Sequence, residues 1–224
     1  MKAFCLREQE RRELHLFECG AIVLGKSALK RTVLEGEKVR LRPVTEDDVA
    51  KLLEWDEDEE ISRWAGKKFF CCEEAKEWYL NPRQLERKTL AIETDGGKLI
   101  GEIELLNISW RLHTGELRVF IGDKEFWDKG FGTDAVYTFL KAVFETTSIE
   151  KVFLRVDEDN VRARRCYVKV GFVPTGRVRF GPDRNMPARL MLMEITRDRL
   201  GARPSSMPAH VRVSALTTAQ AGGR

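Results

Sequence analysis

The sequence predicts an α+β fold whose sheet is mostly antiparallel. Three stretches carry that expectation. Leu117–Ile121 is a strand-like run that leads through the glycine-bearing turn Trp127–Thr133 into an amphipathic helix. Thr89–Thr94 and Leu99–Leu105 flank Asp95-Gly96-Gly97 as a hairpin. Lys151–Val156, a helix from Asn160 to Val170, and the pair 173–180 and 190–195 close the order as strand, helix and hairpin.

The chain of 224 residues allows one large domain or two small ones. A hydrophobic fraction of 42% and a charged fraction of 33% suit a globular protein with a well-charged surface. The formal net charge of +3 does not call for nucleic acid, and no apolar run approaches membrane-spanning length. Met1–Glu8 meets charge too early for a signal-peptide core. The 5 cysteines include no Cys-x-x-Cys pair, so a reduced, cytoplasmic setting without a zinc site is expected.

In chain order, residues 1–36 are expected to be an N-terminal extension. Within it Gly20–Ser27 fits the Gly-x4-Gly-Lys-Ser phosphate-loop pattern letter for letter. Chance gives such a match in about one chain of this length in a hundred. The bulky inner residues Ala21-Ile22-Val23-Leu24 favour a strand over an open loop, and no β-α-β alternation with a second acidic strand follows. A nucleotide-binding role through this stretch is therefore the remote alternative. The domain opens at the strand Lys38–Arg42, which Pro43 ends. Thr45 is the expected N-cap of a first helix, with Glu46, Asp47 and Asp48 in its negative-favouring first turn. Val49, Leu52 and Leu53 are its expected buried face. The acidic run Asp56–Glu60 is expected to be a solvated helix end rather than an attractor for a cationic amine. Ile61–Phe70 lines a channel or simply packs. Cys72–Leu80 is a second helix, stopped by Asn81-Pro82.

The turn is the chemical centre. A helix N-terminus presents amides without intrahelical partners, and its dipole favours an anion. Gly130 and Gly132 let the main chain approach a ligand closely. Two glycines before a helix are weak evidence alone. The second segment is Asn160-Val161-Arg162-Ala163-Arg164-Arg165-Cys166-Tyr167-Val168-Lys169-Val170-Gly171-Phe172. It reads as a helix capped by Asn160 and ended by Gly171, with Ala163, Cys166, Tyr167 and Val170 inward.

Together the two segments resemble the Gcn5-related N-acetyltransferase (GNAT) family. Its signature is a Gln/Arg-x-x-Gly-x-Gly/Ala loop followed by Asn…Ala…Tyr-x-Lys-x-Gly-Phe. The pattern is closest to the ribosomal-protein N-terminal acetyltransferase branch (RimJ/RimL type), and it covers residues 37–196. The resemblance implies a central mixed sheet splayed between two parallel strands and flanked by about four helices. It implies acetyl-CoA as co-substrate and no metal. The pantetheine arm would bond the strand edge at Val119, Phe120 and Ile121, and the pyrophosphate would sit over Lys129, Gly130, Phe131, Gly132 and Thr133. Trp127 stands where the family has Gln or Arg, which removes a polar contact. Asn160 and Arg165 are further cofactor-binding candidates. Tyr167 is the expected donor to the departing thiolate, with an ordinary phenol pKa of about 10. Glu116 is the expected base, with Glu102, Glu104 and His113 in reserve.

The resemblance thus implies transfer of acetyl to a primary amine, either a protein N-terminus or a small molecule, by direct attack on the thioester. A homodimer is compatible with it; neither a membrane nor a direct nucleic-acid partner is expected. A non-catalytic acyl-CoA-binding module is the rival, against which Tyr167 stands. Residues 197–224, rich in Arg, Pro, Ser, Ala, Thr and Gly, are expected to form a disordered tail.

Overall fold

The alternating patterns assemble into one sheet. The computed structural model describes residues 32–61, 69, 71–81, 86–179, 189–201 and 212–215. The phosphate-loop match Gly20–Ser27, most of the 61–70 segment and the turn 181–185 lie outside them. Strands β1 (Thr32–Glu35) and β2 (Val39–Pro43) precede helices α1 (Glu46–Glu57) and α2 (Cys72–Leu80). Strands β3 (Lys88–Thr94), β4 (Leu99–Ser109) and β5 (Thr114–Ile121) form the antiparallel meander. Helix α3 (Phe131–Thr146), strand β6 (Lys151–Asp157) and helix α4 (Val161–Val170) follow. Strands β7 (Val173–Arg179) and β8 (Arg189–Thr196), helix α5 (Arg197–Gly201) and strand β9 (Arg212–Ala215) complete the order. The sheet runs β7-β8-β6-β5-β4-β3-β2-β1-β9. Among the described residues only β5 and β6 pair in parallel.

Two findings depart from the sequence reading. The strand β1 belongs to the same sheet as the domain, although it falls in the segment read as an extension. Residues 197–224 are not wholly a tail, because α5 and β9 lie in them and β9 pairs with β1. Four-residue strands are too short to show a period of two, so composition misread this segment.

One face of the sheet packs on α3 and α4. Ile103, Leu105, Leu117, Val152 and Leu154 meet Ala135, Val136, Phe139, Leu140 and Val143 there, all buried. The other face carries α1 and a smaller cluster of Leu52, Trp55 and Ile61, which Phe120, Tyr79 and Trp127 join. Leu53 is only half-buried.

Thr45 is the N-cap of α1, and its role is specific. Its backbone N–H and its hydroxyl both donate to Asp48 Oδ2, each at 2.7 Å. Arg42 donates to the same carboxylate from NH1 at 2.6 Å and NH2 at 2.9 Å. Burial pushes the Asp48 carboxyl up, but the Arg42 and Thr45 bonds outweigh it and hold the group below the usual aspartate range. A depressed folded-state pKa adds stability above the ordinary aspartate value and loses it as pH falls through the depressed one. Asp48→Asn should therefore cost about 2 kcal/mol at pH 7. Urea melts should show the gap to wild type closing as the pH drops below about 4.

Candidate active site

The site begins where two strands separate. Strand β5 pairs with β4 from Leu106↔Glu116 to Gly101↔Ile121. Its parallel register with β6 is short: Thr114↔Lys151, Gly115↔Val152 and Glu116↔Phe153. Strand β6 stays paired with β8 as far as Asp157. Beyond Glu116 and Phe153 the two strands diverge, so Leu117–Ile121 faces a wedge on that side. An unpaired strand edge is a template for an extended ligand. Val119 and Ile121 turn toward the α3 face and Phe120 toward the α1 cluster, all half-buried.

A clasp marks the last paired rung. Arg155 of β6 donates from Nε to Glu116 Oε1 at 2.8 Å and from NH2 to Oε2 at 3.0 Å. Asn107 Nδ2 donates to Oε2 at 2.8 Å. Both oxygens of the residue expected to be the base are thus engaged. The expected reserves are also placed. Glu104, wholly buried, accepts from Arg118 Nε at 2.8 Å and NH2 at 2.7 Å, from Trp78 Nε1 at 3.1 Å and from Thr89 at 2.9 Å. Glu102 is buried on the same face, where it bonds Tyr79. His113 Nδ1 lies 2.7 Å from the Ser148 carbonyl, at the closed end of the wedge.

The anion turn lies at the open end. Asp128 and Gly130 take positive φ, 58° and 89°, and Gly130 caps α3. The first-turn amides of Phe131, Gly132 and Thr133 have no intrahelical acceptor, while Asp134 N–H closes on Gly130 O at 3.0 Å. A carboxylate this close to an anion site would repel its ligand, but Asp134 is turned away. It accepts Lys38 N–H at 2.7 Å and Val39 N–H at 3.2 Å from the β1–β2 connection. Lys38 Nζ donates to Lys129 O at 3.0 Å, a second tie on the same turn. Gly36 makes this fit possible, since a Cβ there would stand 2.5 Å from Asp134 Oδ2.

Helix α4 supplies the wall facing the turn. Asn160 caps it, accepting Ala163 N–H at 3.0 Å, and Gly171 ends it at φ 118°. Tyr167 is buried, with its ring edge-on to Phe172 at 5.7 Å. Among the described residues its hydroxyl makes no hydrogen bond. Burial pushes its phenol above the ordinary tyrosine range. Cys166 faces the turn, and burial pushes its thiol up to about 11 against a hydrogen bond with Thr133. Arg165 is exposed, with no ion pair among the described residues.

Trp127 corrects one inference. The indole at the family's Gln/Arg position is not merely a lost polar contact. Its Nε1–H donates to Ile121 O at 2.7 Å, fixing the end of β5. Among the described residues no three His, Cys, Asp or Glu side chains form a metal-binding group, and no helix is long and apolar enough to cross a membrane.

A helix N-terminus beside a forked parallel pair, with a tyrosine-bearing helix opposite, defines an acyl-transferring α+β domain. Residues 38–173 match the acetyltransferase (GNAT) domain model. The chain belongs to that family and is an acetyltransferase. It is 28% identical over 148 residues to an N-acetyltransferase 9-like protein of Caenorhabditis briggsae, covering 61% of this chain and 75% of that one. It is 26% identical over 140 residues to spermidine N(1)-acetyltransferase of Escherichia coli (strain K12), covering 62% and 74%. Spermidine N-acetyltransferase from Vibrio cholerae, in complex with CoA and spermine, is similar in fold. Its TM-score is 0.66 at 21% identity, over 72% of this chain and 97% of that chain. Mycobacterium smegmatis RimJ in complex with CoA-disulfide gives 0.64 at 19%, over 75% and 88%.

Proposed function

We propose that this chain transfers acetyl from acetyl-CoA to a primary amine by direct attack of the amine nitrogen on the thioester. The observation that carries this is the parting of β5 from β6 after Glu116↔Phe153, with the Gly130–Thr133 turn at the open end. The names of the relatives support an amine acceptor, and both a small polyamine and a protein N-terminus stand as candidates. We take residues 37–196 as the catalytic domain, in line with the family match.

The residues fit the co-substrate. The amides of Lys129–Thr133 would hold its pyrophosphate, and the free edge of Val119–Ile121 its pantetheine amides. Asn160 and Arg165 stand at the α4 side. Acetyl-CoA supplies an activated acetyl thioester; the C–N bond forms as the C–S bond breaks, and the proton that leaves the amine nitrogen passes through solvent to the departing CoA thiolate. Tyr167 keeps its own proton because burial disfavours the phenolate, so it acts as a hydrogen-bond donor to the departing sulfur. Cys166 stays a thiol for the same reason and is a poor nucleophile, which favours direct attack over an acyl-cysteine.

Glu116 is better placed to position than to accept a proton, because both its oxygens already accept from Arg155 and Asn107. Glu116→Gln should lower kcat less than about tenfold and leave the acid limb of the pH–rate profile in place. Disappearance of that limb would restore Glu116 as the base.

Calorimetric titration of the full chain with acetyl-CoA, beside ATP, tests the function. Micromolar acetyl-CoA binding, followed by turnover in a screen of polyamines and N-terminal peptides, is the expected result. Binding without turnover on any amine would favour the acyl-CoA-binding module. ATP binding with no response to acetyl-CoA would redirect attention to Gly20–Ser27.

A further inference from the structure

We infer that Arg162, held over the Trp127 indole, is a binding residue for the cofactor pyrophosphate, with Trp127 as its positioning residue. The inference rests on the acetyl-CoA function proposed above. The Arg162 guanidinium carbon lies 3.6 Å from the Trp127 ring centroid. Stacking uses the π faces of both groups. It leaves the guanidinium N–H fork, which lies in the plane, available at its edge.

The platform under it is rigid. Trp127 spends its one N–H on Ile121 O at 2.7 Å and packs against the Leu52, Trp55 and Ile61 cluster. Arg162 itself has no hydrogen bond or carboxylate partner among the described residues. Exposed Arg165 is likewise without an ion pair among the described residues, but three other nearby arginines are spent. Arg155 is clasped by Glu116, Arg164 donates to Glu158 O at 2.9 Å, and Arg177 pairs with Glu158 at 2.9 Å. A half-buried arginine whose orientation is fixed but whose donors are unspent is prepared for an anion.

The location fits that anion. Arg162 and Cys166 are four residues apart on α4 and share a face. Cys166 Sγ lies 3.9 Å from where a Cβ on Gly132 would stand, so this face looks onto the anion turn. Arg162 is one helical turn nearer the α4 N-terminus, beside the first residue of the turn. The guanidinium that the loop lacks at position 127 is therefore supplied from the facing helix. The 3′-phosphate shares this chemistry, but the contact with the turn itself favours the pyrophosphate.

Three thioesters separate the possibilities: acetyl-CoA, acetyl-dephospho-CoA without the 3′-phosphate, and acetylpantetheine without either phosphate group. Each is titrated against wild type, Arg162→Met, Arg162→Lys, Trp127→Phe and Trp127→Ala, with thermal melts to confirm folding. Arg162→Met should weaken acetyl-CoA and acetyl-dephospho-CoA alike, by about tenfold or more, and leave acetylpantetheine unchanged. Arg162→Lys should recover part of the loss. Trp127→Phe keeps a ring face under the guanidinium but loses the bond to Ile121 O, so it should retain more affinity than Trp127→Ala. Once any loss shared with acetylpantetheine is divided out, the double variant Trp127→Ala with Arg162→Met should lose little beyond Arg162→Met alone. An equal loss for acetylpantetheine, no loss at all, or a loss confined to the 3′-phosphorylated form would each overturn the inference. A wild-type chain that binds none of the three would overturn the acetyl-CoA function and this inference together.

Discussion

Replacing Tyr167 by phenylalanine is expected to lower kcat by about two to three orders of magnitude, with KM for acetyl-CoA within about threefold of wild type. The substitution removes one oxygen from a side chain that otherwise only packs. Tyr167 is 7% exposed, and its ring sits edge-on against Phe172. Phenylalanine keeps that contact, so the fold and the cofactor pocket should survive. What is lost is a donor without a hydrogen-bond partner among the described residues, which on the proposed mechanism acts only when charge develops on sulfur. An interaction made in the transition state and absent from the ground state lowers kcat without raising KM. Because burial raises the phenol, its proton is retained through neutral and mildly alkaline pH. The pH–rate profile of Tyr167→Phe should therefore keep its wild-type shape and fall in height. Steady-state rates across pH, with Cys166→Ala as the control for an acyl-cysteine route, check this. Near-wild-type kcat in Tyr167→Phe would remove Tyr167 from the chemistry, and a collapse in Cys166→Ala would point to a covalent path.

The parts of this site that were legible in the sequence are those set by local pattern. Gly130 before a run of apolar residues at helical spacing marks the start of α3, and Asn160 and Gly171 mark both ends of α4. The hairpin around Asp95-Gly96-Gly97 follows from turn chemistry and alternation, and Gly97 takes φ 78°. The parts that were not legible depend on partners distant in sequence. Asp134 reads as an ordinary acid in a first helical turn, yet it bonds Lys38, 96 positions away. Glu116 reads as a base or as a strand-edge carboxylate with an unnamed partner, and that partner is Arg155, 39 positions away. Trp127 reads as a deviation from a consensus until Arg162 is seen across it. Periodicity reports which face of an element is buried, not which charge waits on the facing element. The one available clue at Asp134 was a pairing of small residues: Gly36 leaves room for a carboxylate that no local rule would bring there.

A valine at position 132 is expected to weaken acetyl-CoA binding about a hundredfold while moving stability by less than about 1 kcal/mol. The two effects separate because of where a side chain would go. A Cβ on Gly132 would stand 3.8 Å from Ile121 Cγ1 and 3.9 Å from Cys166 Sγ, ordinary contact distances. The backbone there is helical, so no positive φ penalises the change. The fold therefore accepts the first carbon. The two further methyl groups of valine fall between the end of the opened strand and α4, across the gap proposed for the pantetheine arm. They also cover first-turn amides that would bond the pyrophosphate. Losing one or two bonds to a charged ligand, at about 1.5–3 kcal/mol each, gives the hundredfold figure. Gly130 offers no such separation, since its φ of 89° would strain any other residue and blur binding with folding. Gly132→Ala should fall between wild type and valine. Calorimetry and melts on the three proteins decide the matter: full-affinity binding by a stable Gly132→Val would mean that the pyrophosphate does not lie on this turn, and the wedge between β5 and β6 would need another ligand.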